Sequence, residues 1–269
     1  MNQSIKNLIK LENLYLADIG SIENLSILAN MTNLKYLAIF SSAMNNIESI
    51  KNLSNLEILK IRWGSVSDVS PLSNLTKLKK LVFPCKSVDD LEKIKGLKNL
   101  EELDLSSTNI TDNTILENFT YLKILDLKNV KVTDITPSKG MINLEELNLL
   151  NAYITNINII KNFTNLKKLN LSKSKVTDIT PLKSLINLEE LNLEKDWESE
   201  DKIKDITPLS NCVKLKKLNL RDCDIIDISP LKQLVNLEEL DLSSNRKLFD
   251  ISALKLLIKL KKLNFLYYL

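Results

Sequence analysis

The chain has 269 residues, of which 37 are basic and 34 are acidic, and it contains no histidine. The net charge of +3 is too nearly balanced to indicate nucleic acid or an anionic membrane as a partner. Without histidine the chain lacks the usual general base and the ligand of most zinc sites. We therefore expect no enzyme activity, no bound metal and no cofactor.

The N-terminal segment gives no sign of a targeting sequence. Lys6 and Lys10 interrupt its apolar residues, whereas a signal peptide has a continuous apolar core. No apolar run reaches the roughly 20 residues of a membrane span. The three cysteines, Cys85, Cys212 and Cys223, show no disulfide pattern. We predict a cytoplasmic protein, with a secreted or cell-surface protein as the alternative.

One motif, L-x-x-L-x-L, recurs along the chain and divides it into twelve repeats. Most motifs follow one another at intervals of 22 residues, and a five-residue excess separates repeats 9 and 10. This period predicts a leucine-rich repeat solenoid, in which each repeat buries its apolar residues against its neighbours. We expect a single domain over residues 1–269. The motifs begin at Leu11, Leu34, Leu56, Leu78, Leu100, Leu122, Leu144, Leu166, Leu188, Leu215, Leu237 and Leu260.

Each repeat contains one predicted strand and one predicted tight return. In repeat 8 the leucines of the motif alternate with polar residues, as in a short strand with one buried face. Val176, Ile179 and Leu182 then follow at intervals of three, which suits a short helical or 3-10 segment. Thr180 before Pro181 predicts the N-cap of that segment. The predicted fold class is an α/β solenoid, a leucine-rich repeat horseshoe with a parallel concave β-sheet and short helical or 3-10 convex segments.

Repeats 1 to 4 depart from the polar pattern of the concave face. Aromatic, apolar and cationic residues replace the usual acidic and amide residues, and such a composition is typical of interaction hot spots. The alternative interpretation is drift of the repeat near a terminus. The predicted partner-binding residues are Tyr15, Tyr36, Phe40, Ile58, Lys60, Arg62 and Trp63, and Val82 is predicted to share their face.

Two further positions recur with a structural meaning. The residue after the first leucine alternates between glutamate and lysine in all twelve repeats, from Glu12 to Lys261. Because parallel strands lie about 4.8 Å apart, this ladder predicts ion pairs that favour strand register. The position between strand and return holds small residues, among them Ser174 and Cys223, in place of a complete asparagine ladder. Hydroxyl groups, backbone and water are expected to satisfy the loop there.

The five-residue excess falls in an acidic loop, EKDWESEDK, at residues 194–202. A longer loop that carries a tryptophan is a candidate contact, so Trp197 joins the predicted partner-binding residues. The alternative is an insertion that is tolerated without a function. The carboxylates of the loop lack the glycine and the spacing of a calcium loop, so no metal site is predicted.

The ends of the sequence differ from the capped ends of most solenoids. The first repeat starts in mid-unit at Met1, and the chain stops with NFLYYL, residues 264–269, just after a predicted strand. Solenoids normally close with polar capping repeats. Uncapped ends predict a partner, self-association or continuation into a longer protein.

The segment KVTDITPLKSLINLEELNL, residues 175–193, resembles the 22-residue repeat of bacterial internalins and of the nuclear regulatory subunit of protein phosphatase 1. The resemblance extends over nearly the whole chain. It implies a non-enzymatic scaffold that binds a protein partner through its concave face. An internalin-like surface or secreted adhesin or effector, and a regulatory subunit of a phosphatase, are the alternative functions.

Overall fold

The computed structural model describes residues 7–17, 25–83 and 91–265. The chain divides into two compact units, Met1–Lys131 and Val132–Leu269, here called the N-terminal and C-terminal units. The single domain predicted over residues 1–269 stays a prediction. Cys85 and most of the predicted uncapped ends lie outside the described residues.

In the N-terminal unit, six strands pair in parallel and in chain order. The leucine at the second position of each motif aligns across the strands, from Leu14 and Leu37 to Leu125, and all of these except Leu14 are buried. The open face is defined as the side of the sheet formed by the residues that alternate with these leucines. The strands are β1 (Asn13–Ala17), β2 (Tyr36–Phe40), β3 (Ile58–Arg62), β4 (Lys80–Val82), β5 (Glu102–Asp104) and β6 (Ile124–Asp126).

The C-terminal unit repeats this arrangement with six further parallel strands in chain order. Its aligned leucines run from Leu147 to Leu263, and all except Leu263 are buried. The strands are β7 (Glu146–Asn148), β8 (Lys168–Asn170), β9 (Glu190–Asn192), β10 (Lys217–Asn219), β11 (Glu239–Asp241) and β12 (Lys262–Asn264).

Every helical segment in the described part of the chain is a 3-10 helix of three or five residues. The leucine-rich repeat fold with parallel strands and short returns is therefore confirmed, and of the two predicted kinds of return the 3-10 helix is the one observed. The 3-10 helices are Ser26–Leu28, Glu48–Ile50, Ser70–Asn74, Glu92–Ile94, Thr114–Asn118, Thr136–Gly140, Asn158–Asn162, Thr180–Ser184, Thr207–Asn211, Ser229–Gln233 and Ser252–Leu256.

The 3-10 helix of repeat 8 begins one residue earlier than predicted. Thr180 is already the first residue of its 3-10 helix, and its N–H donates to Oδ1 of Asp178 at 2.8 Å. The hydrogen bonds from Thr180 lower the pKa of Asp178. Thr180 is therefore not the cap, because the acceptor for the first free N–H comes from two residues earlier. The same bond is made by Asp68, Asp112, Asp134, Asp205, Asp227 and Asp250.

The predicted ladder of alternating charges forms ion pairs between consecutive repeats. Nζ of Lys79 lies 2.8 Å from Oε2 of Glu57, and Nζ of Lys123 lies 2.6 Å from Oε2 of Glu101. In each pair the glutamate belongs to the preceding repeat. The hydrogen bond from Lys123 lowers the pKa of Glu101. This confirms the structural interpretation of the ladder. Equivalent pairs join Lys35 to Glu12, Lys167 to Glu145, Lys216 to Glu189 and Lys261 to Glu238.

An asparagine ladder is present, although at a position that the sequence analysis did not consider. The asparagine just before the motif donates its side-chain N–H to a backbone carbonyl of the preceding repeat, as Asn187 does to Thr164 at 2.9 Å. The recurring Asn-Leu dipeptide was the available signal. At the small-residue position the hydroxyls bond backbone as expected, for example Ser174 to the carbonyl of Leu171. The other ladder residues are Asn33, Asn55, Asn99, Asn165 and Asn236.

Candidate interaction surface on the N-terminal strands

The first three strands are longer than the rest, and they lack a side-chain acceptor that is found at the end of most later strands. In β5 to β12 the last strand residue is Asp or Asn, and from β5 to β11 its side chain accepts the backbone N–H two residues later, as Asp104 does from Ser106 at 2.9 Å. This bond turns the chain and ends the strand. Tyr15, Ala38 and Lys60 occupy the position in β1 to β3 and offer no such acceptor. These strands continue for two more residues, whereas β4 ends at Val82, which offers no acceptor either.

Three aromatic side chains from three repeats pack against one another on this longer part of the sheet. The ring centroids of Tyr15 and Phe40 lie 5.2 Å apart with planes tilted by 46°. Those of Phe40 and Trp63 lie 5.7 Å apart with planes tilted by 58°. These separations fall in the range of favourable aromatic pairs. Tyr15 is nevertheless 62% exposed and Trp63 63% exposed, so the cluster presents a large apolar surface to solvent.

The cluster continues into a second contact around Ala38. Ala38 pairs in register with Tyr15 and Lys60, and it lies between Tyr36 and Phe40 in β2. It is completely buried although its side chain points to the open face, so its larger neighbours cover it. Nζ of Lys60 lies 5.6 Å from the ring centroid of Tyr36, a distance at which a cation and an aromatic ring attract. The aromatic and cationic side chains therefore form one continuous patch.

The remaining predicted residues of repeats 1 to 4 differ in how they join this patch. Ile58 is half-buried and pairs with Tyr36. Arg62 is exposed, but its Nη2 reaches Oδ2 of Asp104 at 3.2 Å, so its charge is already compensated. Val82, which was predicted on the exposed face, is buried. The aromatic face is defined from here on as Tyr15, Tyr36, Phe40, Ile58, Lys60, Arg62 and Trp63.

Trp63 has an unusual backbone conformation for its residue type. It follows β3 directly and has a φ of 68°, in the left-handed region. That region suits asparagine better than a bulky side chain. Asn129 and Asn151 occupy the equivalent position of their repeats with φ values of 58° and 54°. The repeat therefore imposes the conformation, and repeat 3 places an exposed tryptophan in it.

Trp197 lies in the C-terminal unit and is not part of the aromatic face. It is 76% exposed in the 194–202 loop. The loop is held by several contacts of Asp196: its carbonyl accepts hydrogen bonds from Ser199 N–H and from Nζ of Lys202, and its Oδ1 lies 3.0 Å from Nζ of Lys173. Its role as a second contact stays a prediction.

The same loop contains a buried lysine that was not predicted from the sequence. Lys195 is 2% exposed, and its Nζ donates to the carbonyls of Ser174 at 2.7 Å and Val176 at 2.6 Å in the preceding repeat. Burial lowers the pKa of Lys195 to about 8. No sequence signal marked it, since its neighbours are acidic and polar. The ammonium anchors the start of the insertion to repeat 8.

The two cysteines in the described part of the chain are poor candidates for reactive thiols. Cys212 and Cys223 are buried, and burial raises their thiol pKa values to about 11 and about 12. Among the described residues, no group of histidine, cysteine, aspartate and glutamate side chains is arranged to hold a metal ion. Within the same residues, no helix has the length and apolar composition to span a membrane.

Comparison with known proteins places this geometry in a family. The family description "Leucine Rich repeats (2 copies)" matches residues 164–211 and 213–256. The solved structure of an internalin, inlF, from Listeria monocytogenes matches with a TM-score of 0.88 and 31% identity, over 99% of this chain and 77% of that one. The chain belongs to the internalin family of leucine-rich repeat proteins. No curated protein sequence matches it.

Two further structures show how widely the fold is shared. Internalin C2 of Listeria monocytogenes is 32% identical, with a TM-score of 0.59, over 79% of this chain and 82% of that one. The ectodomain of the plant receptor kinase GASSHO1/SCHENGEN3 from Arabidopsis thaliana, solved in complex with CASPARIAN STRIP INTEGRITY FACTOR 2, has a TM-score of 0.66. It is 18% identical, and the match covers 98% of this chain and 36% of that one. The plant ectodomain shows shared fold alone, whereas the two internalins share sequence as well.

Proposed function

We propose that this internalin-family chain is a non-enzymatic scaffold that binds a protein partner through its aromatic face. The leucine-rich repeat fold is a typical protein-interaction scaffold, and a rigid array of strands presents side chains without a large cost in ordering them. The observation that carries the proposal is the exposed cluster of Tyr15, Phe40 and Trp63. Exposed aromatic side chains in mutual contact are the usual centre of an interface.

The alternative of sequence drift explains this arrangement less well. Drift would scatter apolar residues, whereas here three rings from three repeats meet at contact distance. Drift also gives no reason for a tryptophan at a left-handed position that asparagine fills at lower cost in Asn129 and Asn151. A feature that costs conformational energy and exposes apolar surface favours a binding role over chance.

Family membership supports one of the alternative functions over the other. The two relatives that are 31% and 32% identical are internalins, which favours an internalin-like adhesin or effector over a regulatory subunit of a phosphatase. Either role would use the same aromatic face. The cytoplasmic location given by the sequence analysis stays a prediction, and the compartment of the captured partner would test it.

Capture experiments with a matched pair of variants test the proposal. Trp63→Asn introduces the residue that repeats 6 and 7 carry at this position, Asn129 and Asn151, so the fold should be retained. Tyr121→Asn is the control, because Tyr121 is an exposed aromatic residue of the same unit that lies outside the strands. A partner is then purified and its affinity for each variant is measured by calorimetry.

The expected result is that Trp63→Asn weakens binding by about 30-fold or more, as truncation of a hot-spot residue does. The control should bind within about twofold of the parent. A partner that binds Trp63→Asn and the parent equally would show that the aromatic face is not the binding site.

A further inference from the structure

We infer that the aromatic face binds a short acidic segment of its protein partner, with a carboxylate on Lys60 and an apolar side chain on the cluster of Tyr15, Phe40 and Trp63. This inference rests on the proposed function and adds the chemistry of the ligand to it. Three observations support it: the size of the face, the balance of its charges and the position of Lys60 beside the ring of Tyr36.

The size of the face limits what can dock on it. Three strands spaced about 4.8 Å apart and five residues rising about 3.3 Å each give a surface of roughly 10 Å by 13 Å. A standard interface buries about 800 Å² on each partner, several times this footprint. The face therefore matches a segment of about four extended residues, which would form the energetic centre of any larger interface.

The charges on this part of the sheet leave one cation without a counter-ion. Lys80 is hydrogen-bonded to Glu102 in the next strand, and Arg62 is paired with Asp104. Lys60 makes its contact with the ring of Tyr36, and no ion pair of Lys60 is found among the residues that the structure describes. The surface complementary to the face must therefore bring a negative charge to this point.

The surroundings of Lys60 favour a carboxylate on a polypeptide over a nucleic acid. A single available cation suits one carboxylate, whereas nucleic-acid binding relies on many phosphate contacts. Lys60 is half-buried beside Tyr36 and Ile58, so an ion pair formed there is partly shielded from water and is stronger than a pair at a fully exposed site. The adjoining rings accept an apolar side chain next to the acidic residue in the same segment.

Selection from a phage-displayed library of random twelve-residue peptides tests the inference. The library is selected on the intact protein and depleted on Trp63→Asn, which keeps only peptides that need the aromatic face. The expected sequences place aspartate or glutamate within two residues of an aromatic or aliphatic residue. The Tyr121→Asn variant should bind the same peptides as well as the parent does.

A double-mutant cycle on one selected synthetic peptide then tests the role of Lys60. Lys60→Met should weaken binding by about fivefold, and so should exchange of the peptide's acidic residue for its amide, with little further loss when both changes are combined. Lys60→Glu should weaken binding further, and binding to the parent should fall with added salt.

The outcomes separate this inference from the proposed function. Peptides that depend on Trp63 but are neutral or basic, or whose binding is unchanged by Lys60→Met, overturn the inference that the bound segment is acidic. They leave the aromatic face as a binding site. A selection that enriches no peptide overturns the inference that the face binds a short segment. Partner capture then decides the proposed function. Enriched peptides that bind Trp63→Asn as well as the parent contradict both.

Discussion

Replacing Lys195 by methionine should change how the stability of the protein depends on pH. Lys195 is buried, and its ammonium donates to two backbone carbonyls, those of Ser174 and Val176. Desolvation is the main reason why its pKa falls from 10.5 to about 8, so the charged form is less favourable in the folded protein than in the unfolded chain. Methionine keeps an apolar chain of similar length and removes the titration.

The magnitude follows from the difference between the two pKa values. One pKa unit corresponds to about 1.4 kcal/mol, so a fall from 10.5 to about 8 corresponds to about 3 kcal/mol. Between these two pH values the unfolded chain keeps a proton that the folded protein has released, and the free energy of unfolding therefore rises with pH. From pH 7 to pH 10 the titration of Lys195 should add about 2.5 kcal/mol.

Other groups near Lys195 do not obscure this effect if two proteins are compared. Asp196, Asp201, Lys202 and Cys223 contribute to its pKa, and all four remain in the variant. The raised pKa of Cys223 acts in the opposite direction, because the folded protein keeps a thiol proton that the unfolded chain loses above about pH 9. That contribution is common to both proteins and largely cancels in the difference.

Urea unfolding at pH 7 and pH 10, followed by circular dichroism, measures the effect. The stability of the parent relative to Lys195→Met should increase by about 2.5 kcal/mol between the two pH values. Lys183→Met, at an exposed lysine of the same unit, should show no such change. A difference between the parent and Lys195→Met that is the same at both pH values would refute a lowered pKa of Lys195.

Three further predictions test other parts of the structure. In a Cys85→Ser background, Cys212 and Cys223 should react with a thiol reagent only after unfolding, since both are buried with raised pKa values; rapid labelling of the folded protein would contradict their placement. Asn187→Ala should lower the free energy of unfolding by about 1 kcal/mol through loss of its bond to the preceding repeat. Asp178→Ala should lower the free energy of unfolding by about as much, because it removes the acceptor for the N–H of Thr180. Asp178→Asn should remove the part of the stability that is lost as the pH falls through the lowered pKa of the Asp178 carboxylate. Urea unfolding at pH 7 and pH 3 measures both effects.

The repeat sequence alone was sufficient for the fold and for the charge ladder. Lys123 and Glu101 were paired on spacing alone, and the structure joins them at 2.6 Å. This succeeds because each repeat contacts only its neighbours, so a residue and its partner are separated by one period of the sequence. The same reasoning placed Tyr15, Tyr36 and Phe40 on one face of the sheet.

Prediction failed where the partner or the burial of a side chain depends on three-dimensional geometry that sequence spacing does not record. Thr180 and Asp178 are both residue types that cap helices, and only the backbone geometry shows that the carboxylate of Asp178 accepts the N–H. Arg62 pairs with Asp104, which lies 42 residues away and two strands across, so a rule based on adjacent repeats could not find it. Val82 alternates correctly but is covered by its surroundings.

The sequence by itself determined the repeat, the order and register of the strands and the ladder of charges, because these depend on a period that local spacing records. Only the tertiary structure decided that Tyr15, Phe40 and Trp63 touch, that Lys60 lies against Tyr36 with no ion pair among the described residues, and that Lys195 is buried. These features depend on side-chain directions and on neighbouring volumes, which the order of residues along the chain does not specify.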